Sequence, residues 1–201
     1  MTDPVDEVLN LFADRGGGHF GEAVDQRRHA LQSATQARSA GAPDHLVTAA
    51  LLHDIGHLLG DSGDTSTTRD DRHEAVGAHW LAPRFGPGVA APVALHVLAK
   101  RYRCAVEPPY LEALSPAAVD SLRLQGGPLD TAGVARFGSH PGAHHALLLR
   151  EWDEAAKDPD ADTEPFEAFR GCLQRTVIRH CWRVPASAGL PGLRVRRECD
   201  D

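Results

Sequence analysis

His53, Asp54 and His57 are the residues whose types and spacing most directly suggest chemistry. Helix positions four apart share a face, so His53 and His57 can approach one point. Asp54 reaches the same point if the helix ends there, and Gly56 permits such an ending. A carboxylate has two oxygens, so Asp54 can serve two cations. Alone this pattern is weak, because an HD dipeptide is common by chance and most lone histidines are core or surface residues. His29, His73, His96 and Asp153 add weight, each lying on a different helical segment. One His or Asp per helix, converging from several helices, is how a helical bundle builds a metal site. Six ligands on five segments exceed what one ion with open positions requires, so two metals bridged by Asp54 are expected. Imidazole and carboxylate suit Fe(II) and Fe(III) as well as Mn or Zn, so the ligand types do not name the metal.

The segments that must position these residues carry helical punctuation throughout. Asp3-Pro4 is an N-cap followed by proline at the first helical position. Val5, Val8, Leu9 and Phe12 follow as one apolar stripe. Gly16, Gly17 and Gly18 break the chain. The pattern then predicts a long helix from about Glu22 to Ala40, with Gly41 just past its end. The run from Asp44 to Asp54 is apolar enough to be a central buried helix, closed by Gly56, Gly60 and a polar loop from Asp61 to Asp71. That loop lacks the Gly and Glu placing of an EF-hand. Further helices fit about His73–Arg84, Pro87–Arg103, Ser115–Leu124, Pro141–Lys157 and Pro165–Trp182. No stretch alternates cleanly with β-branched residues. The expected fold is all-α, with roughly seven or eight helices in one domain over 1–184. The segment 185–201, mixing Pro, Gly and Arg, reads as a flexible tail.

Composition narrows the function classes. The 201 residues are 42% hydrophobic and 24% charged, the balance of a soluble globular protein. There are 28 acids against 21 bases, a net charge of −7, which argues against a broad nucleic-acid-binding surface. No window approaches a membrane span, and the acidic start shows no secretory signal. Cys104, Cys172, Cys181 and Cys199 form no CxxC pair and read as reduced thiols in the cytoplasm. Twelve histidines are many for this length. His45, His79, His140 and His180 read as structural or exposed, and the adjacent His144 and His145 point about 100° apart on a helix. Trp80, Trp152 and Trp182 read as core. A monomer or weak homo-oligomer is expected, with neither nucleic-acid nor membrane partners.

The order H…HD…H…H…D resembles the HD-domain superfamily of metal-dependent proteins. The segments HFGEAVDQRRHALQSA, LLHDIGH, HEAVGAHWL, HVLAKRY, YLEALSPAAVDSLRLQGGPLD and LREWDE are similar, in order from about Phe12 to Phe169, to its phosphonate-cleaving oxygenases of the 2-amino-1-hydroxyethylphosphonate oxygenase (PhnZ) type. HVLAKRY and LQGGPLD are far more specific than HD. A more distant relative is myo-inositol oxygenase of mammals. The resemblance implies an all-α HD-domain bundle and O2-dependent cleavage of a carbon–phosphorus bond at a mixed-valent di-iron centre, Fe(II)/Fe(III). The substrate would be a small organophosphonate, with O2 as co-substrate.

Carried over residue by residue, the resemblance implies a first iron held by His29, His53, Asp54 and Asp153. The second would be held by His73, His96 and the shared Asp54. His57, Lys100 and Arg150 would form a cationic cluster for the phosphonate, although Arg150 also fits a plain surface cation. Gln125 and Ser121 would line the same pocket, and Glu22 would meet an ammonium end of the substrate. Asp54 and Lys100 carry the catalytic roles. Two departures stand out. Ala118 replaces a serine, which enlarges the pocket slightly. His19 replaces a tyrosine that ligates the second iron at rest, so His19 is either a gating ligand or a solvent-facing loop residue. Two other readings fit the HD pattern less fully. One is a divalent-metal phosphohydrolase acting on a phosphate ester, which LQGGPLD and Lys100 oppose. The other is a non-catalytic phosphoryl or phosphonate sensor, which the intact ligand set opposes.

Overall fold

The computed structural model describes residues 2–19, 23–60 and 72–178. Eleven α-helices lie among them: α1 (Pro4–Arg15), α2 (Gln26–Ser39), α3 (Asp44–Leu52), α4 (Ile55–Leu59), α5 (His73–Phe85), α6 (Pro87–Val106), α7 (Pro108–Glu112), α8 (Pro116–Leu124), α9 (Thr131–Gly138), α10 (Ala143–Glu154) and α11 (Arg170–Thr176). A 3-10 turn, Phe166–Phe169, precedes α11, and no strand occurs among the described residues. None of these helices is long and apolar enough to cross a membrane. Glu22, the 61–71 loop, His180, Trp182, Cys181, Cys199, the expected boundary at 184 and the tail all lie outside the described residues.

A helix that is apolar all round must be enclosed, and that explains the centre of the bundle. Every residue of α3 from Leu46 to Leu52 is buried. Helices α2, α6, α10 and α11 pack around it. Its one polar residue in that run, Thr48, meets the Thr176 hydroxyl at 3.2 Å. The core is built of Ala, Leu and Val with few aromatic residues, Phe12 and Phe169 among them. The helices that surround α3 are also those that carry His29, His96 and Asp153.

Local chemistry fixes the helix starts. Asp3, Asp25, Ser115 and Asp130 each accept a backbone N–H from the first turn that follows, at 2.6–3.1 Å. The Asp25 cap is why α2 begins at Gln26 and not near Glu22. Asp130 starts α9, which hydrophobic periodicity alone does not reveal. Helix α7 was likewise not expected; it begins at Pro108-Pro109, where proline suits a first turn. The expected helix over 141–157 is shorter, since α10 ends at Glu154 and Ala156 and Asp158 lie beyond it. The expected helix from Pro165 is split into the 3-10 turn and α11. Gly41 does take up the positive φ of 71° that a residue past a helix end requires.

Two of the three glycines after α1, Gly16 and Gly18, are tied to the start of α2. The Gly16 and Gly18 carbonyls accept the backbone N–H groups of Arg27 (2.9 Å) and Gln26 (2.8 Å), satisfying donors at the start of α2. A Cβ at Gly16 would lie 2.5 Å from the Phe12 carbonyl oxygen and 3.0 Å from the Arg27 Cβ. Close approach to α1 and α2 therefore accounts for Gly16.

Gly56 decides how α4 meets α5. A Cβ there would lie 2.0 Å from the carbonyl oxygen of His73, and a Cβ at Gly77 would lie 3.3 Å from the Gly56 nitrogen. The two backbones touch, which brings Asp54 at the head of α4 beside His73 at the head of α5. Gly56→Ala should lower stability by about 1–3 kcal/mol or more, because the clash is with backbone and not with a flexible side chain. Urea unfolding measures this, and wild-type stability in that variant would contradict the packing described.

Candidate metal centre

Helix α3 ends at Leu52, and α4 begins at Ile55. His53 and Asp54 thus occupy the junction, with Asp54 at φ −98° and ψ 10°, in the bridge region frequent at active sites. Ending the helix there turns Asp54 toward the same space as His53. His53 is fully buried, and His29, His73, His96 and Asp153 are all buried as well.

The donor atoms fall into two sets. In the first, His29 Nε2 lies 3.1 Å from His53 Nε2 and 3.3 Å from Asp153 Oδ1. His53 Nε2 lies 3.7 Å from that same Asp153 oxygen. Asp54 Oδ2 is 3.7 Å from His29 Nε2 and 3.5 Å from His53 Nε2. In the second set, His73 Nε2 and His96 Nε2 are 3.1 Å apart. Asp54 Oδ1 lies 3.4 Å from the first of these and 3.6 Å from the second. Each carboxylate oxygen of Asp54 therefore faces its own pair of imidazoles.

These spacings match a coordination shell. Ligand atoms about 2.1 Å from one ion stand about 3.0–3.5 Å apart at neighbouring corners of an octahedron or tetrahedron. The ring orientations agree with that role. His29 Nδ1 meets the Ala156 carbonyl oxygen at 2.8 Å, His53 Nδ1 that of Ala50 at 2.9 Å, and His96 Nδ1 that of Val93 at 2.7 Å. Only an Nδ1–H can donate there, which turns the Nε2 lone pair inward. Facing lone pairs about 3 Å apart repel unless a cation or proton lies between them. The donor set fits a pair of divalent or trivalent ions.

The charges point the same way. Burial opposes ionisation of Asp54 and Asp153. Around Asp54, the imidazoles of His53, His73, His57 and His29 outweigh burial and hold the carboxyl well below its usual range. Around Asp153, Arg150 and His53 do the same. Burial also opposes a charged His53, but Asp54 and Asp153 overcome it and raise the ring to about 9. Burial, with His73 and His53 nearby, pushes His96 down to about 3, so its imidazole is neutral.

Around this centre the expected residues divide. Lys100, on the same face of α6 as His96, is buried. Its Nζ donates to Ser121 Oγ at 2.6 Å and Gln125 Oε1 at 3.3 Å. Lys100, Ser121 and Gln125 are thus brought together where α8 meets α6. Ala118 is buried beneath them, and its carbonyl accepts the Ser121 hydroxyl at 3.1 Å. Burial, then the nearby Arg150 charge, lowers Lys100 to about 8.

Arg150 differs from the expectation of a free cation. It is buried, and its Nε donates to the Tyr110 hydroxyl at 2.6 Å. Its two terminal nitrogens donate to Asp153 Oδ2 and Glu154 Oε2. The physical reason is helical spacing: Asp153 and Glu154 follow Arg150 by three and four positions on α10. Arg150 holds one oxygen of Asp153 and leaves the other for the first donor set. Tyr110 and Glu154, which complete this arrangement, carry no local sequence signal. Glu74, whose Oε2 is buried 3.8 Å from His73 Nδ1, was also missed.

His57 offers a nitrogen within 4.8 Å of donors on both Asp54 and His73. Its ring, however, stacks on that of His73, with centroids 4.0 Å apart and planes inclined by 18°. Two rings lying nearly parallel do not aim both nitrogens at one ion, so His57 stands beside the second set. His19 is exposed and joins neither set.

Residues 26–123, which carry His29, His53, Asp54, His73 and His96, match the HD domain family model. Two relatives extend the match over most of the chain. Hydroxymethylphosphonate dioxygenase of Gimesia maris is 46% identical over 156 residues, 76% of this chain and 78% of that protein. The glycine-betaine-forming [1-hydroxy-2-(trimethylamino)ethyl]phosphonate dioxygenase of Leisingera caerulea is 40% identical over 179 residues, 88% of this chain and 91% of that protein. The chain belongs to the HD-domain phosphonate dioxygenases.

A metal ion entering the first set must displace the proton that Asp54 and Asp153 hold on His53. Metal affinity should therefore rise with pH from neutrality to about 9, with proton release on binding. In the metal-free chain the sign is opposite. The stability that charged His53 contributes is present below its unfolded value of about 6.5 and is lost as pH rises through about 9. Mn(II) titration calorimetry in buffers of different ionisation heat measures both affinity and protons released. Affinity independent of pH would contradict the cluster described.

Proposed function

We propose that this enzyme uses O2 to cleave the carbon–phosphorus bond of a 1-hydroxyphosphonate, yielding inorganic phosphate and a carboxylic acid, at a mixed-valent di-iron centre. The carrying observation is that the two oxygens of Asp54 face two separate imidazole pairs, one set completed by Asp153 and the other left with three protein donors. His29, His53 and Asp153 would hold one iron and His73 and His96 the other, with Asp54 shared. When bound, the pair of irons supplies Lewis acidity toward hydroxyl and phosphonate oxygens together with a redox couple for O2.

The relatives' names share one chemical element, a hydroxyl and a phosphonate on the same carbon, and differ at the far end. That common part defines the proposed substrate class. The balance is simple. The C–H and C–P bonds at that carbon break and give up four electrons. O2 accepts them, and its two atoms complete the carboxylate and the phosphate.

The chain's own residues bind and orient the substrate. Lys100, fixed by Ser121 and Gln125, supplies a buried cation for a phosphonate oxygen. His57 beside the second set supplies a further N–H. Arg150 acts through Asp153 and adds positive charge nearby. Glu22 is proposed to meet a positively charged far end of the substrate. The free thiols Cys104 and Cys172 suit a reducing, cytoplasmic setting.

Iron-loaded enzyme given hydroxymethylphosphonate should release phosphate in air and none under argon. Equal turnover of phosphate esters without O2 would favour the phosphohydrolase reading instead. Lys100→Ala should weaken substrate binding by about 1.5–3 kcal/mol, the net value of a hydrogen bond to a charged group, with iron content unchanged. In the wild type that contact should fade as pH rises through about 8, because the ammonium group is lost there. Iron loss in a folded Lys100→Ala variant would contradict the role given to Lys100.

A further inference from the structure

We infer that Gln32 is a positioning residue for the first metal set, locking the chain beyond α10 against α2 so that His29 keeps its aim. This rests on the metal reading of that set. Gln32 lies three residues after His29 on α2 and is buried. Its amide Nε2 donates to the Asp158 carbonyl at 2.6 Å, and its Oε1 accepts the Asp158 backbone N–H at 3.2 Å. One side chain thus satisfies both main-chain groups of a single residue, as a strand partner would. A buried amide is costly unless paired, and this one is paired at both ends.

The clamped segment matters for what precedes it. α10 delivers Asp153 to the first set, and two residues beyond its end the fully buried Ala156 carbonyl accepts His29 Nδ1 at 2.8 Å. Asp158 follows two residues later. The turn leaving α10 is therefore tied to α2 at His29 and at Gln32, one helical turn apart. Release of the Gln32 tie would let the Ala156 carbonyl drift. His29 would then lose the bond that fixes its tautomer and ring angle, and its spacing to Asp153 would loosen. The second set takes His73 from α5 and His96 from α6, and Gln32 touches neither.

The test uses Gln32→Met, close in size and without hydrogen bonds, in two backgrounds of the full chain. In His96→Ala the first set is the intact one, and in His29→Ala the second is. Mn(II) affinity, read by titration calorimetry, should fall about ten- to a hundred-fold on adding Gln32→Met to His96→Ala, as when a partner that orients a ligand is removed. Added to His29→Ala it should change by about two-fold at most, because the ring that Gln32 positions is already gone and Gln32 touches neither His73 nor His96. Gln32→Glu keeps the acceptor for the Asp158 N–H and loses the donor. If the Met variant does not fold, a selective first-set loss in Gln32→Glu sustains the inference, and none overturns it. Equal loss in both backgrounds, or no loss in either, overturns it. Failure of the wild type to bind Mn(II) or Fe(II) would instead remove the metal reading itself.

Discussion

Asp54 must answer to two pairs of imidazoles with one carboxylate, and the bundle is arranged around that requirement. A carboxylate held within 4 Å of four imidazole nitrogens is far more stable ionised than its burial would allow alone. Two cations in that space need the shared anion to offset their mutual repulsion. The break between α3 and α4 sets the Asp54 backbone, the glycine contact of α4 with α5 brings in His73, and α2, α6 and α10 supply the rest.

Main-chain carbonyls hold the rings of the site. A helix leaves its last carbonyls without partners, and one of these is used here, while a second lies just beyond a helix and a third, Val93 on His96, lies inside α6. Ala50, near the end of α3, takes His53, and Ala156, just past α10, takes His29. Arg150 on α10 fixes Asp153 in a similar way, with Tyr110 from α7 behind it. The second set has three protein donors, one fewer than the first, and the buried Lys100, held by Ser121 and Gln125, lies near Arg150 and Asp153.

Much of this was legible in the sequence because it depends on local pattern. The donor residues sit on strongly periodic segments or at their ends, and the apolar run 44–54 identified the central helix. The HD order and the HVLAKRY and LQGGPLD segments carried the family. What was not legible depends on contacts between distant segments. Arg150 reads equally as a cation for substrate or as a plain surface cation until its packing against Tyr110, Asp153 and Glu154 is known. Gly16 to Gly18 read only as a break in the chain until the start of α2 is seen bonding to Gly16 and Gly18. Gln32, 126 positions from Asp158, has no sequence signal for its role. The short helices α7 and α9 lack enough turns for a periodic stripe.

Anomalous scattering from crystals of the full chain grown with Mn(II) would locate the ions bound at Asp54. Two peaks should appear, each bonded to a different oxygen of Asp54, one with His29, His53 and Asp153 and the other with His73 and His96. A single fully occupied ion bound by both Asp54 oxygens, in enzyme active with that one metal, would contradict the account.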